Sequence, residues 1–157
     1  MVSEIALFIT AAGVLGVAYG LRQSYRQRLR QFEAMYIQRY WSLLDRLSLE
    51  VLTGSSAGQI STDDEKAIRS YFFLCEDELE MRAKKYIADS TYRTWVEGIL
   101  EQLEQPMFKE VLTRLRKEDA FPYEYLNHLL ERGKTYDPCG MLWLGRWLRG
   151  LAGPDGV

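Results

Sequence analysis

The chain predicts an all-α protein. An N-terminal transmembrane helix continues into a long helix, followed by a helical bundle and a C-terminal amphipathic Trp/Arg helix. Three observations carry that reading. Ile5 to Leu21 (IALFITAAGVLGVAYGL) holds no charge and is followed at once by Arg22, Arg26, Arg28 and Arg30. Apolar residues then recur at steps of three and four, the period of a helix face. No segment alternates convincingly at period two, so no sheet is expected. The divisions that follow are 1–21 as transmembrane anchor, 22–133 as cytoplasmic bundle, and 134–157 as amphipathic helix and tail.

Taken back to Val2, the apolar stretch reaches about 30 Å as a helix, close to the hydrocarbon thickness of a bilayer. Ile5, Leu7, Phe8, Ile9, Val14, Leu15, Val17 and Leu21 contribute roughly −0.3 to −0.6 kcal/mol each on an insertion scale. The glycines, Thr10 and Tyr19 offset part of this, so insertion is favoured by a modest margin. The four arginines all follow the run, and Glu4 is the only charge before it. Positive charge holds its side of a span in the cytoplasm, so a short outer N-terminus and a cytoplasmic domain at the inner (plasma) membrane are expected. A cleaved signal peptide would need a basic segment before the run, and Val17-Ala18-Tyr19-Gly20 is a poor cleavage site.

The 157 residues leave room for the anchor and one compact domain. Net charge is −2, with the basic residues of the neck set against a mildly acidic remainder. That balance suits contact with anionic lipid at the neck and argues against general nucleic-acid binding, which needs a basic face across the domain. Cys75 and Cys139 belong to no CxxC or Cys/His set and fit a reducing compartment.

Along the bundle, Tyr25, Leu29, Phe32, Tyr36, Tyr40, Leu43, Leu47 and Val51 form one stripe, and no Gly or Pro interrupts Arg22 to Leu52. Anchor and first cytoplasmic helix are therefore expected as one rod. The stripe is aromatic-rich rather than Leu/Ile-rich, which favours a bundle core over a coiled-coil seam. Thr53 to Gln59 reads as a loop. Thr62 and Glu65 then read as a capping box for a helix ending near Tyr86, with Ile68, Tyr71, Phe72, Cys75, Leu79 and Ala83 inward. Asp89-Ser90 offers the next N-cap, before Tyr92, Trp95, Val96, Ile99, Leu100 and Leu103. Pro106 ends that helix and opens another carrying Phe108, Val111, Leu112 and Leu115. Pro122 starts a short helix with Tyr125, Leu126, Leu129 and Leu130, closed by Gly133.

In the tail, Asp137-Pro138 reads as an N-cap and first-turn pair. MLWLGRWLRGL then places apolar residues around most of a helix, with Gly145, Arg146, Arg149 and Gly150 as a narrow polar wedge. Trp143, Arg146, Trp147 and Arg149 resemble the residues of an interfacial membrane helix, too short to span. Closing the bundle core would use the same wide apolar face.

Chemistry is harder to find. Glu76, Asp77, Glu78 and Glu80 diverge around a helix, with only Glu76 and Glu80 sharing a face. A di-metal bundle would need Glu-x-x-His pairs, and His128 is the only histidine, with tyrosine at 125. Glu124, His128 and Glu131 share a face, a pattern common by chance on solvated helices. No nucleophile elbow, activated cysteine or phosphate loop is present. The sequence thus points to no enzyme, cofactor, metal or small-molecule substrate.

Two interaction signals remain. Ala12, Gly16 and Gly20 repeat at four-residue spacing, a face that lets transmembrane helices approach closely. Trp41 and Phe73 fall off the inward stripes and are candidates for an exposed docking patch. The layout of a short span, an arginine-rich neck and the segments DEKAIRSYFFLCEDELEMR, TYRTWVEGIL and PMFKEVLTRL resembles uncharacterised bacterial single-span proteins with a cytoplasmic helical domain of unknown function. The resemblance covers Ile5 to Leu115 in layout and excludes the tail; it implies a bacterial or phage origin and no catalytic residues. The expected function is a membrane-anchored interaction, scaffold or accessory subunit, contacting lipid and either a protein partner or further copies of itself. A membrane-perturbing effector of the defence or exclusion type is the alternative.

Overall fold

A computed structural model describes residues 2–54, 60–117 and 122–152, with the side chains of 2–8 outside that description. The described residues are helical, with no strand among them. In order they form α1 (Val2–Leu44), α2 (Leu49–Leu52), α3 (Thr62–Ala83), α4 (Asp89–Leu103), α5 (Pro106–Lys117), α6 (Glu124–Arg132) and α7 (Trp143–Leu148), with a 3₁₀ turn at Gly133–Thr135. Among the described residues no helix is long and apolar enough to cross a membrane. Ile5, Leu7 and Phe8 of the apolar run lie outside the described side chains.

α3 is the central element, packed against α1, α5 and α6, while α4 packs on α5. Its expected stripe is buried except at Ala83, which is half-buried, with Ile68, Phe72 and Cys75 fully enclosed and Tyr71 and Leu79 nearly so. Val96, Ile99 and Leu103 of α4, Phe108, Val111, Leu112 and Leu115 of α5, and Leu126 and Leu129 of α6 complete one contiguous core. Perpendicular ring contacts, Phe108 with both Tyr71 and Phe72, place positive ring edges on negative faces. Pro106 opens α5 as expected, and Gly133 closes α6 at φ 59°.

Several boundaries differ from the sequence reading, each for a physical reason. The rod to Leu52 breaks after Leu44, because Ser48 caps α2 through its hydroxyl and its N–H donates to Asp64 Oδ1 at 2.8 Å. The capping residues of α3 are Ser61 and Asp64, not Thr62 and Glu65: Asp64 N–H donates to Ser61 Oγ, and Ser61 Oγ–H to Asp64 Oδ2. Glu65 instead pairs with Arg69 and Arg114. α3 ends at Ala83 rather than near Tyr86. Lys85 takes φ 71°, and the Lys85 and Tyr86 amides turn back to Arg82 and Met81, a left-handed closure with a lysine where glycine is usual. Ala88, not Asp89 or Ser90, is the N-cap of α4. Asp137-Pro138 starts no helix; α7 begins five residues later, at Trp143. Of the expected loop, residues 55–59 lie outside the described residues.

Carboxylates reaching across the bundle satisfy helix starts that local side chains leave open. Glu33 of α1 accepts from Ala88 N–H at 2.8 Å. Glu76 of α3 accepts from Tyr125 and Leu126 N–H at 3.0 and 2.8 Å, a fork over the first turn of α6. There its negative charge also meets the positive end of the helix dipole. Glu76→Ala should therefore destabilise the fold by about 1–2 kcal/mol in denaturant titration. Glu80→Ala, on the same helix but paired among the described residues with nearby Lys84 alone, should leave the midpoint almost unchanged.

Candidate functional site

Two surfaces stand out, one where α1 leaves the bundle and one between α1 and α4. Along α1 every residue from 9 to 21 is exposed. Ile9, Val14, Leu15, Val17 and Leu21 are between 63% and 70% accessible, so this apolar length is left uncovered by the other described residues. Ala12, Gly16 and Gly20 lie within it, and a Cβ added at Gly16 or Gly20 would meet nothing within 4 Å.

The tail folds back onto α1 immediately after that length. Leu29, Cys139 and Leu151 form a small buried cluster with Tyr25 and Met141 against it. The Arg22 guanidinium lies 4.6 Å from the Trp147 ring, and its Nε donates to the Trp147 carbonyl at 3.3 Å. Arg26 Nη2 donates to the Ala152 carbonyl at 3.3 Å. Gly150 makes the crossing possible: its φ is +68°, and a Cβ there would sit 2.9 Å from Arg26 Cγ. Arg28 and Arg30 are exposed, as is Arg149. Arg146 is half-buried and faces Asp137 and Asp89 at 3.4 and 3.6 Å. Leu142, Trp143, Leu144 and Leu148 are exposed, Leu142 at 87%. One side of the tail thus packs on the bundle and the other presents uncovered Leu and Trp side chains beside residue 22.

The second surface is a groove of about 300 Å³, with Ile37, Tyr40 and Trp41 of α1 along one wall and Thr94, Trp95, Gly98 and Ile99 of α4 along the other. Tyr71 and Glu78 of α3 form its floor. Trp41, singled out by sequence, is 58% exposed on the rim, edge-on to Tyr40. Phe73 is 57% exposed on a different face, against Tyr123, so the two do not form one patch.

Glu76, Asp77, Glu78 and Glu80 of α3 take four separate roles. Glu76 caps α6, Asp77 faces Arg39 at 3.7 Å, and Glu80 pairs with Lys84. Glu78 is buried and, among the described residues, has neither a hydrogen bond nor an ion pair. Burial, with Asp77 adding a like charge, pushes its pKa up to about 8. Sequence reasoning missed it, although the spacing Tyr71, Cys75, Glu78, Arg82 continues the inward stripe. His128 lies 3.7 Å from Glu131, and no metal-ligating group of three or more occurs among the described residues. Both cysteines are buried, and burial raises the Cys75 thiol well above its ordinary pKa, the opposite of activation.

No known protein family, curated protein or solved structure matches the chain.

The pH dependence of Glu78 follows from its raised pKa. The unfolded carboxyl titrates near 4.5 and the folded one near 8, so the folded state holds the proton more tightly. Stability should fall as pH rises between those values and level off above them. Glu78→Gln, which resembles the protonated form, should remove that decline. Parent and variant should melt alike at low pH and separate by several degrees at mildly alkaline pH, the variant higher, in thermal unfolding followed by circular dichroism.

Proposed function

We propose that the protein crosses the inner membrane once through its N-terminal helix and holds a cytoplasmic bundle at the surface as an interaction, scaffold or accessory module. The observation that carries this reading is the exposed apolar length of α1 ending at Arg22, where the tail's own exposed Leu and Trp side chains begin. An apolar helix that the other described residues leave exposed has a favourable environment in hydrocarbon. The residues beside it match the adjoining layers: arginines for headgroups, tryptophans and leucines for the interface. Orientation follows from Arg22, Arg26, Arg28 and Arg30. Arg28 and Arg30 are exposed where anionic lipid would lie, while Arg22 and Arg26 brace the tail.

The tail also supports the second reading, a membrane-perturbing effector. Leu142, Trp143, Leu144 and Leu148 provide an apolar face to wedge among headgroups. The two readings part in a vesicle assay. An interaction module leaves entrapped dye in place, whereas an effector releases it, and Trp143→Ala with Leu144→Asp abolishes the release.

For the anchor itself, the full chain should sediment with membranes and resist carbonate and high salt. Quantitative recovery in the soluble fraction without detergent would remove the anchor from the account.

A further inference from the structure

We propose that the groove between α1 and α4 binds an organic cation, an alkylammonium group held by the Glu78 carboxylate and ringed by Tyr40, Trp41, Tyr71 and Trp95. This deepens the interaction reading by naming the chemistry its groove recognises. It rests on that reading only if the ammonium belongs to a partner protein's lysine.

The floor of the groove carries the argument. Glu78 is a carboxylate only 7% exposed, without a hydrogen-bond or ion-pair partner among the described residues, and it lines a cavity of about 300 Å³. An unpaired carboxylate at this depth is costly as an ion and keeps its proton, so a ligand that supplies the missing positive group is what allows Glu78 to ionise. The fold has paired its other inward-facing carboxylates: Asp64 with Ser48 and Ser61, Asp89 with Arg82. Glu78 opens onto a cavity instead.

The walls decide what kind of cation fits. A hard metal ion needs several oxygen ligands, and here there is one carboxylate with no metal-ligating cluster among the described residues. Aromatic faces attract an ammonium through their quadrupoles, most strongly where water is excluded. Ile37 and Ile99 offer contact to an attached alkyl chain. Nearby titratable groups leave the charge of the site to Glu78. Tyr40, Tyr71 and Cys75 all have pKa values raised by burial and stay neutral near pH 7, while Asp77 is balanced by Arg39. Binding a cation favours the ionised form of Glu78, so affinity should rise with pH while the ligand itself stays protonated.

The test uses the ¹⁵N-labelled full chain in detergent micelles, with n-butylammonium as probe and n-butanol as its neutral match. The indole N–H signals of Trp41 and Trp95 report occupancy. Butylammonium should shift both saturably, and more tightly at about pH 9 than at about pH 6. Glu78→Gln should weaken it by about tenfold or more, while leaving butanol binding unchanged as proof that the groove is intact. Equal affinity in parent and variant, or no saturable shift with butylammonium, overturns the proposal and leaves Glu78 a protonated core residue. Nα-acetyl-lysine amide is the second probe. If it competes, a lysine of a partner protein fits the groove. If butylammonium binds and the lysine amide does not, the ligand is a free amine; the protein-docking reading of this groove then fails while the cation site stands.

Discussion

A single guanidinium joins the elements on which the rest of the arrangement depends. Arg82, near the end of α3, is completely buried. Its Nε and Nη2 form a fork onto both oxygens of Asp137, its Nη1 donates to the Ile87 carbonyl, and Nη2 also lies 2.8 Å from Asp89 Oδ1. The Tyr92 ring lies 4.9 Å from its Cζ. Burial opposes the positive charge, but the Asp137 and Asp89 carboxylates outweigh it and raise the Arg82 pKa above its ordinary value. In return, Arg82 overcomes the burial of Asp137 and lowers that carboxyl's pKa. Such a pair contributes little net stability beyond a hydrophobic replacement, but removing one partner leaves a buried charge stranded, at a cost of about 3–5 kcal/mol. Its value here is in fixing position.

What it positions is the chain reversal that returns the tail to α1. Asp137 follows α6 and accepts from the Cys139 N–H at 2.9 Å, which aims the next residues toward the α1 neck. Asp89 opens α4, and its N–H donates to the Leu151 carbonyl. Arg146 of α7 faces both carboxylates from the other side. The same charges that close the bundle thus seat Trp147 on Arg22 and leave the apolar side of the tail uncovered beside the exposed length of α1. Core and neck are connected through polar atoms held away from water, where each bond is strong and each omission expensive.

Much of this arrangement was legible in sequence because it rests on period. The stripes of α3, α4, α5 and α6, Pro106 at a helix start and Gly133 at a helix end follow from spacing and backbone constraint. What escaped was decided by residues distant in sequence. Ser61 displaced Thr62 as cap because Asp64 bonds both Ser61 and Ser48 across the loop. Asp89 and Asp137 resembled local N-caps, yet both serve Arg82, a bond no local pattern reveals. Glu78 and Arg82 were hidden by their charge, although each continues the stripe of Tyr71 and Cys75. Of the candidate sites, the exposure of Trp41 was readable from its position off the stripe. The groove beneath it required knowing that α4 lies alongside α1.

The central claim is that the buried Arg82 hub holds the tail on the neck, and amide hydrogen exchange of Asp137→Asn tests it most directly. If the claim is right, the amides of Cys139, Leu151 and Ala152 and the Asp89 N–H bonded to the tail exchange much faster than in the parent, while Val111 and Leu112 in α5 keep their protection. Unchanged tail protection, or a uniform loss extending through α5, would show that the tail is held by something other than this hub.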